Sequence, residues 1–241
     1  EIEMEKGELI FNGNEKQFYA TEDPDKVIVR FKDVSVAFNN VKRARFVGKG
    51  ILDNKISALL RGELNRCGVR THFISALDER EQLCRKIDII PIEFIVRNRV
   101  AGSLASRLGL EDGFIPRNTI LDMRYNNDDL DNPLITCDHV IALGLVTEAE
   151  LESMKAVAMK VNGILSGLFH RAGIELVDVK MEFGRATDTG EIIISDEISP
   201  DTARLWDEAT GERLDKDRFR RDLGNVEGAY KEMLRRLTGE V

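Results

Sequence analysis

Cysteine is scarce in this chain. Cys67, Cys84 and Cys137 are odd in number, far apart and in no CxxC pair. That spacing argues against a disulfide framework and for reduced thiols in the cytoplasm. Histidine is as sparse, with only His72, His139 and His170. Scattered in this way, the two residue types offer neither a zinc site nor a Cys/His nucleophile pair. No apolar run approaches the ~20 residues of a membrane span. The opening EIEMEKGEL lacks the basic flank and apolar stretch of a secretory signal. Basic excess is also missing: the net charge of −8 argues against general nucleic-acid binding, while leaving room for a local basic pocket.

What is present is enough for a sizeable core: 241 residues, 42% hydrophobic and 32% charged, suit one large domain or two modest lobes of a soluble protein. ELIFNGNEKQFYAT reads as a hairpin with Asn-Gly-Asn at its bend, and KVIVRF (26–31) as the next strand. From about Leu52, apolar residues at helical spacing predict a helix that Gly68 stops. An extended segment follows near His72 to Ile74, and LCRKIDIIPIEFIVRN predicts a strand pair broken near Pro91. AGSLASRLG starts a short helix, and residues 111–138 read as loop-rich. Thr147 and Glu150 form a capping box ahead of a helix that presents Leu151, Met154, Val157, Val161, Leu165 and Leu168 on one face. Two amphipathic C-terminal stretches, DKDRFRRDL and NVEGAYKEMLRRL, are expected to cover a sheet. Strands come in clusters, which predicts an α+β fold with a mainly antiparallel sheet. The division is expected between residues 1–86 and 87–241.

LVDVKMEF (176–183) alternates strictly: Val177, Val179, Met181 and Phe183 share one face, and Asp178, Lys180 and Glu182 the other. Turn formers follow, then EIIISDEIS, so a hairpin is the economical reading. A turn centred near Thr189 places Glu182 opposite Asp196, with Cβ atoms about 5 Å apart. Two ionised carboxylates that close need a cation between them. Mg²⁺ suits such a pair, since it takes one or two protein carboxylates and fills its shell with water and phosphate oxygens. Lys180, Arg185 or Arg204 would neutralise the pair equally well, and spacing alone leaves both readings open.

A second constellation is IEFIVRNRVAGSLASRLG. A strand ends at Arg97 and a helix begins near Gly102 and Ser103, where unpaired N–H groups and a hydroxyl favour a phosphate. Arg97 adds a guanidinium, and Arg204 of TARLWD can complete the site from beyond the hairpin. A capped helix beside surface arginines is the competing reading. Gly13 and Lys16, at the N-terminal bend, are placed to lie over a triphosphate, a weak signal on its own. Trp206 reads as a packing residue.

Together FNGNEKQFYAT, FKDVSVAFNNVKR with its GKG, KIDIIPIEFIVRNRVAGSLASRLG, LVDVKMEFG and SDEISPDTARLWD resemble the SAICAR synthetase family, in order and spacing, over most of the chain. The resemblance implies a fold related to ATP-grasp enzymes, with a small antiparallel N-terminal lobe and a larger α+β lobe. It also implies an ATP-dependent ligase that joins L-aspartate to carboxyaminoimidazole ribonucleotide and releases ADP and phosphate. On the same basis Glu182 and Asp196 are expected to hold Mg²⁺, with Lys180 beside the reacting groups. Arg97, Ser103 and Arg204 would clamp the ribonucleotide's phosphate and Asp178 would meet its ribose. Gly13 and Lys16 would contact ATP phosphates, while Cys84, Arg85 and Ile87 would hold adenine at the lobe junction. A homo-oligomer, commonly a dimer, is implied as well. Three positions depart from the family's pattern. Asn14 stands where the first loop usually has lysine, Asn126 replaces another lysine, and Asn132 replaces the aspartate of a His-Asp-Pro run.

Overall fold

A computed structural model describes residues 5–38 and 41–239. Residues 1–4, part of the segment read as free of a secretory signal, and Asn39–Asn40 of the FKDVSVAFNNVKR motif lie outside them. The N-terminal hairpin pairs β1 (Leu9–Asn12) with β2 (Lys16–Ala20), and β3 (Lys26–Phe31) continues the ladder. A separate two-stranded ribbon joins β4 (Val34–Ala37) to β5 (Lys42–Arg45). After it comes α1 (Lys49–Arg66), which begins three residues before the predicted start and ends ahead of Gly68, at φ 73°. β6 (Phe73–Ala76) and β7 (Glu81–Arg85) complete a sheet ordered β1-β2-β3-β7-β6.

The second sheet begins at β8 (Ile87–Arg97) and continues, past the short α2 (Ser103–Leu108), with β9 (Ile120–Tyr125). Next are α3 (Cys137–Ala142), the long α4 (Glu148–Arg171) and β10 (Ile174–Ala186). The chain closes with β11 (Ile192–Ser195), β12 (Ala203–Asp207), α5 (Asp217–Arg220) and α6 (Val226–Thr238). β10 is the central strand: β8 runs along one edge, while β11 and β12 share the other, one after the other. Every named strand pair is antiparallel, as the clustering of strands predicted.

Two expectations are corrected here. The strand pair is broken at Lys86, not at Pro91, and β8 runs through the proline. Pro91 sits where the β8–β10 register shifts, between the Glu182–Glu93 and Phe183–Ile90 pairs, so its missing N–H falls at a bulge. Residues 111–138 are not simply a loop, because β9 lies among them and pairs with β8 from Arg97 to Ile92. Its sequence, ILDMRY, is short and mixed in polarity, which hides a half-buried edge strand.

α4 carries the predicted capping box, with Thr147 and Glu150 bonding reciprocally. Leu151, Met154, Ala158, Val161, Leu165 and Phe169 are its buried stripe, against β10. Fully burying one such large side chain is worth about 1.5–3 kcal/mol. α6 packs chiefly on α1 while its Arg236 reaches Asp207 of β12 at 2.7 Å, and Leu52, Ile56, Leu60 and Leu64 of α1 join the same core as Val179, Met181 and Phe183 of β10. The two sheets therefore part at Lys86, while α1 reaches across into the core of the larger one.

Candidate active site

A cleft of about 1420 Å³ lies between the N-terminal hairpin and the charged face of the second sheet. Gly13 and Lys16 line it from the hairpin; Arg97, Ser103, Asp178, Lys180, Glu182, Asp196 and Arg204 line it from the larger half. Nine of the twelve predicted site residues thus share one space. Cys84, Arg85 and Ile87 do not line it. Cys84 is buried in β7, Arg85 reaches Asp188 at 2.7 Å, and Ile87 packs where Gly184 passes.

The register across the hairpin differs from the predicted one. Glu182 faces Ser195, and the turn is tighter by one residue than a centre at Thr189 implies. Strict alternation would then send Asp196 to the apolar face. It does not, because β11 stops at Ser195 and Asp196 takes a left-handed conformation, φ 57°. That single turn of the backbone brings its carboxylate back to the cleft, where it meets Lys16 and Glu182.

The charges here are interleaved. Lys180 donates to Glu182 at 2.8 Å and to Glu93, its neighbour on β8, at 3.0 Å. Lys16 pairs with Asp196 and with Glu197, the latter at 3.0 Å. Burial opposes the charge on Lys180, yet Glu182, Glu93 and Asp196 more than offset it and hold its pKa well above the ordinary lysine value. Burial pushes Glu182 up; Lys180 opposes the rise and Asp196 adds to it. Asp196 is buried as well, but Lys16 and Lys180 hold its pKa below the usual carboxylate range. Two ammonium groups among four carboxylates (Glu93, Glu182, Asp196 and Glu197) leave an anionic excess that a divalent cation matches. Among the described residues no group of three or more His, Cys, Asp or Glu side chains is arranged to hold a metal. Glu182 and Asp196 would suit an ion that takes two protein carboxylates and completes its shell with phosphate and water.

The other end of the cleft is cationic. Asp178 is flanked by Arg97 on β8 and Arg204 on β12, receiving their Nη1 groups at 3.2 and 2.8 Å. Its carboxylate thus fixes two arginines first, and only its remaining lone pairs face a ligand. Arg97 also reaches Asp122 at 2.8 Å, and Arg204 reaches Asp217 at 3.0 Å. Gly102, at φ 58°, passes so close to the Arg204 guanidinium that any Cβ would collide with it. Ser103 accepts a hydrogen bond from Arg124 of β9 at 3.0 Å. Arg107, Arg124, Arg220 and Arg221 line this end too and were missed in the sequence. Arg124 was hidden with its strand, while Arg220 and Arg221 read as one face of an amphipathic helix. Trp206 packs against Ala101 and Val177, as expected.

The positions that depart from the family's pattern are also in the cleft. Glu15, beside Asn14, accepts from Lys216 at 2.7 Å and from the Val36 amide at 3.0 Å, so the first loop is tied to the far side by charge. Asn132 accepts from the Asn127 amide at 2.7 Å and shapes its own turn.

The family model for SAICAR synthetase matches residues 9–237. The chain belongs to the SAICAR synthetase family. It is 50% identical to the phosphoribosylaminoimidazole-succinocarboxamide synthase of Clostridium acetobutylicum, over 98% of this chain and 100% of that one. The crystal structure of the corresponding synthase from Ehrlichia chaffeensis superposes with a TM-score of 0.94 at 45% identity, covering 96% of this chain and 98% of that one. A SAICAR synthetase solved in complex with ADP superposes at 0.92 with 42% identity, covering 97% and 98%. SAICAR synthetases are ligases of purine biosynthesis that join L-aspartate to carboxyaminoimidazole ribonucleotide, and this chain is a ligase of that family.

Proposed function

We propose that the two ends of this cleft divide the ligase reaction between them, the arginine end anchoring the ribonucleotide and the acid–lysine end holding Mg²⁺ and ATP. The observation that carries this reading is the charge separation along one wall. Asp178, Lys180 and Glu182 follow each other on one face of β10, with arginines around the first and carboxylates around the last. Arg97, Arg204, Ser103 and Arg124 bind the phosphate by charge-assisted hydrogen bonds. Asp178 orients the two arginines and meets the ribose. Residues 1–86 serve as the nucleotide lobe, with Gly13 and Lys16 over the phosphates; Cys84, Arg85 and Ile87 lie outside the cleft and have no part in this reading. Residues 87–241 carry the ribonucleotide and metal sites.

A carboxylate is a poor electrophile, so amide formation in water needs activation. The carboxylate oxygen of the ribonucleotide attacks the γ-phosphorus of ATP, the bond to ADP breaks, and an acyl phosphate forms. The amine of aspartate then attacks the acyl carbon, loses a proton, and phosphate departs. Glu182 and Asp196 are the residues that would hold Mg²⁺, which when bound neutralises phosphate charge as a Lewis acid. Lys16, freed from Asp196, moves to the phosphates, and Lys180 stabilises negative charge that builds at the reacting carboxylate. The protein's work is positioning and neutralisation, so no covalent nucleophile is required.

The reading is tested by incubating the purified chain with ATP, Mg²⁺, L-aspartate and the carboxylated ribonucleotide. ADP and the succinocarboxamide product should form in equal amounts. ATP consumption indifferent to aspartate would contradict it. We also propose a cytoplasmic homodimer. Cys67, Cys84 and Cys137 are all free thiols, no described helix is long and apolar enough to cross a membrane, and the β1 edge exposes Leu9, Ile10 and Phe11. A sedimentation mass of one chain at micromolar concentration would rule the dimer out.

A further inference from the structure

Arg61 of α1 is among the most completely buried of the described side chains, 1% exposed, and no carboxylate among the described residues forms an ion pair with its guanidinium. A charge so placed carries a large desolvation cost, and such charges are ordinarily paired. Its partners are neutral: the His72 ring, the Gln82 side-chain oxygen, the Ser57 carbonyl at 3.4 Å, and the main-chain carbonyl of Asp196 at 2.9 Å. The Phe73 ring closes one face, 5.2 Å from the guanidinium carbon. His72 is itself held neutral, because burial and the adjacent arginine both disfavour its cation. A neutral Nε2 can then accept from Arg61.

Asp196 is the point of contact, and it is unusual in two ways. It has a left-handed backbone, which costs a non-glycine residue about 1 kcal/mol or more. That conformation is also what aims its carboxylate into the cleft. Arg61 holds the carbonyl of this residue from behind. Just before it, the N-terminal half is stitched to β11: His72 N donates to Ile194 O at 2.8 Å and Ile194 N to Arg70 O at 3.1 Å.

We propose that Arg61 is a positioning residue for the metal-binding carboxylate: it locks Asp196 in its left-handed turn and links the nucleotide lobe to the metal site. The proposal rests on Asp196 as a metal ligand. Arg61 touches no substrate. Its contribution is to keep one ligand preorganised, as partners behind metal ligands generally do.

Two variants test it. Arg61→Lys keeps the charge but cannot hold Asp196 O, His72 and Gln82 together. Gln82→Glu gives Arg61 a carboxylate of nearly the same shape, which draws it away from Asp196. Both are compared with Asp196→Asn by measuring Mn²⁺ binding with ADP present, through the electron paramagnetic resonance signal of free Mn²⁺. Fold is monitored by circular dichroism. Weakening of Mn²⁺ affinity by about 10-fold is expected in whichever of the two variants folds. Ribonucleotide affinity by calorimetry should stay within about twofold, because the arginine end is untouched. Unchanged Mn²⁺ affinity in the folded variants, with binding lost in Asp196→Asn, would overturn the positioning role alone. So would ribonucleotide affinity falling in step with Mn²⁺ affinity, which marks a merely structural residue. Unchanged Mn²⁺ affinity in Asp196→Asn would instead remove the metal reading on which the proposal rests.

Discussion

Glu182 and Ser195 face each other across the β10–β11 ladder, and the carboxylate that shares the cleft with Glu182 comes from the next residue, Asp196. The two acids are thus brought together by a strand end and a left-handed turn, not by cross-strand pairing. The arrangement leaves Asp196 on a short, strained link that other groups must hold, with Lys16 in front and Arg61 behind.

Neutralising either acid should stop turnover and spare ribonucleotide binding. Glu182→Gln and Asp196→Asn keep shape and remove charge, so kcat should fall by on the order of 100-fold or more. The dissociation constant of the ribonucleotide, measured by calorimetry without ATP, should move by less than about threefold. A variant that keeps near-normal kcat across Mg²⁺ concentrations would show that its carboxylate is not a metal ligand.

The opposite pattern is expected at the arginine end. Arg204→Ala and Arg124→Ala each remove charge-assisted hydrogen bonds worth about 1.5–3 kcal/mol, so ribonucleotide affinity should drop by about 10- to 100-fold. Mn²⁺ affinity in the presence of ADP should hardly change. An unaltered ribonucleotide dissociation constant in Arg124→Ala would place that side chain outside the clamp.

Acidification should weaken metal binding earlier than an ordinary glutamate implies. Glu182 is raised above its ordinary value of 4.5 by burial and by Asp196. As pH falls through that raised value Glu182 takes up a proton and loses its charge, while Asp196, held low, stays ionised. Mn²⁺ affinity should therefore fall with an acid midpoint above 4.5, and the fall should be absent in Glu182→Gln. An acid limb unaffected by that substitution would assign the proton elsewhere.

Asp215 offers a stability test away from the metal. It is fully buried; burial and Asp217 push its pKa up to about 7 from 3.8, against hydrogen bonds from the Leu205 and Asp217 amides. Between those values the unfolded chain releases this proton while the folded one retains it, so this group's contribution to stability declines as pH rises from about 4 to 7. Asp215→Asn removes the titration. Its melting temperature relative to the parent should therefore improve between pH 5 and pH 8. A difference independent of pH would mean that Asp215 is already ionised in the fold.

Much of this was legible in the residues. The alternation of LVDVKMEF gave β10 and its charged face, Thr147 and Glu150 marked the start of α4, and Asn-Gly-Asn marked the first hairpin. What escaped has physical reasons. Register depends on how tight a turn is, and GRATDTGE permits more than one, so Asp196 was paired one residue out. A proline ordinarily breaks a strand, but a bulge accepts it, so the break at Lys86 was placed at Pro91. β9 is held by its neighbour β8 and not by its own propensity, and Arg124 vanished with it. Arg61 reads as one more polar residue of a helix whose buried face also holds Lys49, Asp53 and Asn54. Only the fold reveals that this polar stripe faces inward.

The decisive test is a crystal of the chain with ADP and Mn²⁺, with anomalous diffraction collected at the manganese edge. An anomalous peak should lie within coordination distance of carboxylate oxygens of both Glu182 and Asp196, with Lys16 withdrawn to the phosphates. A peak that contacts neither acid, with Asp196 still paired to Lys16 and Glu182 to Lys180, would contradict the metal site and the mechanism built on it.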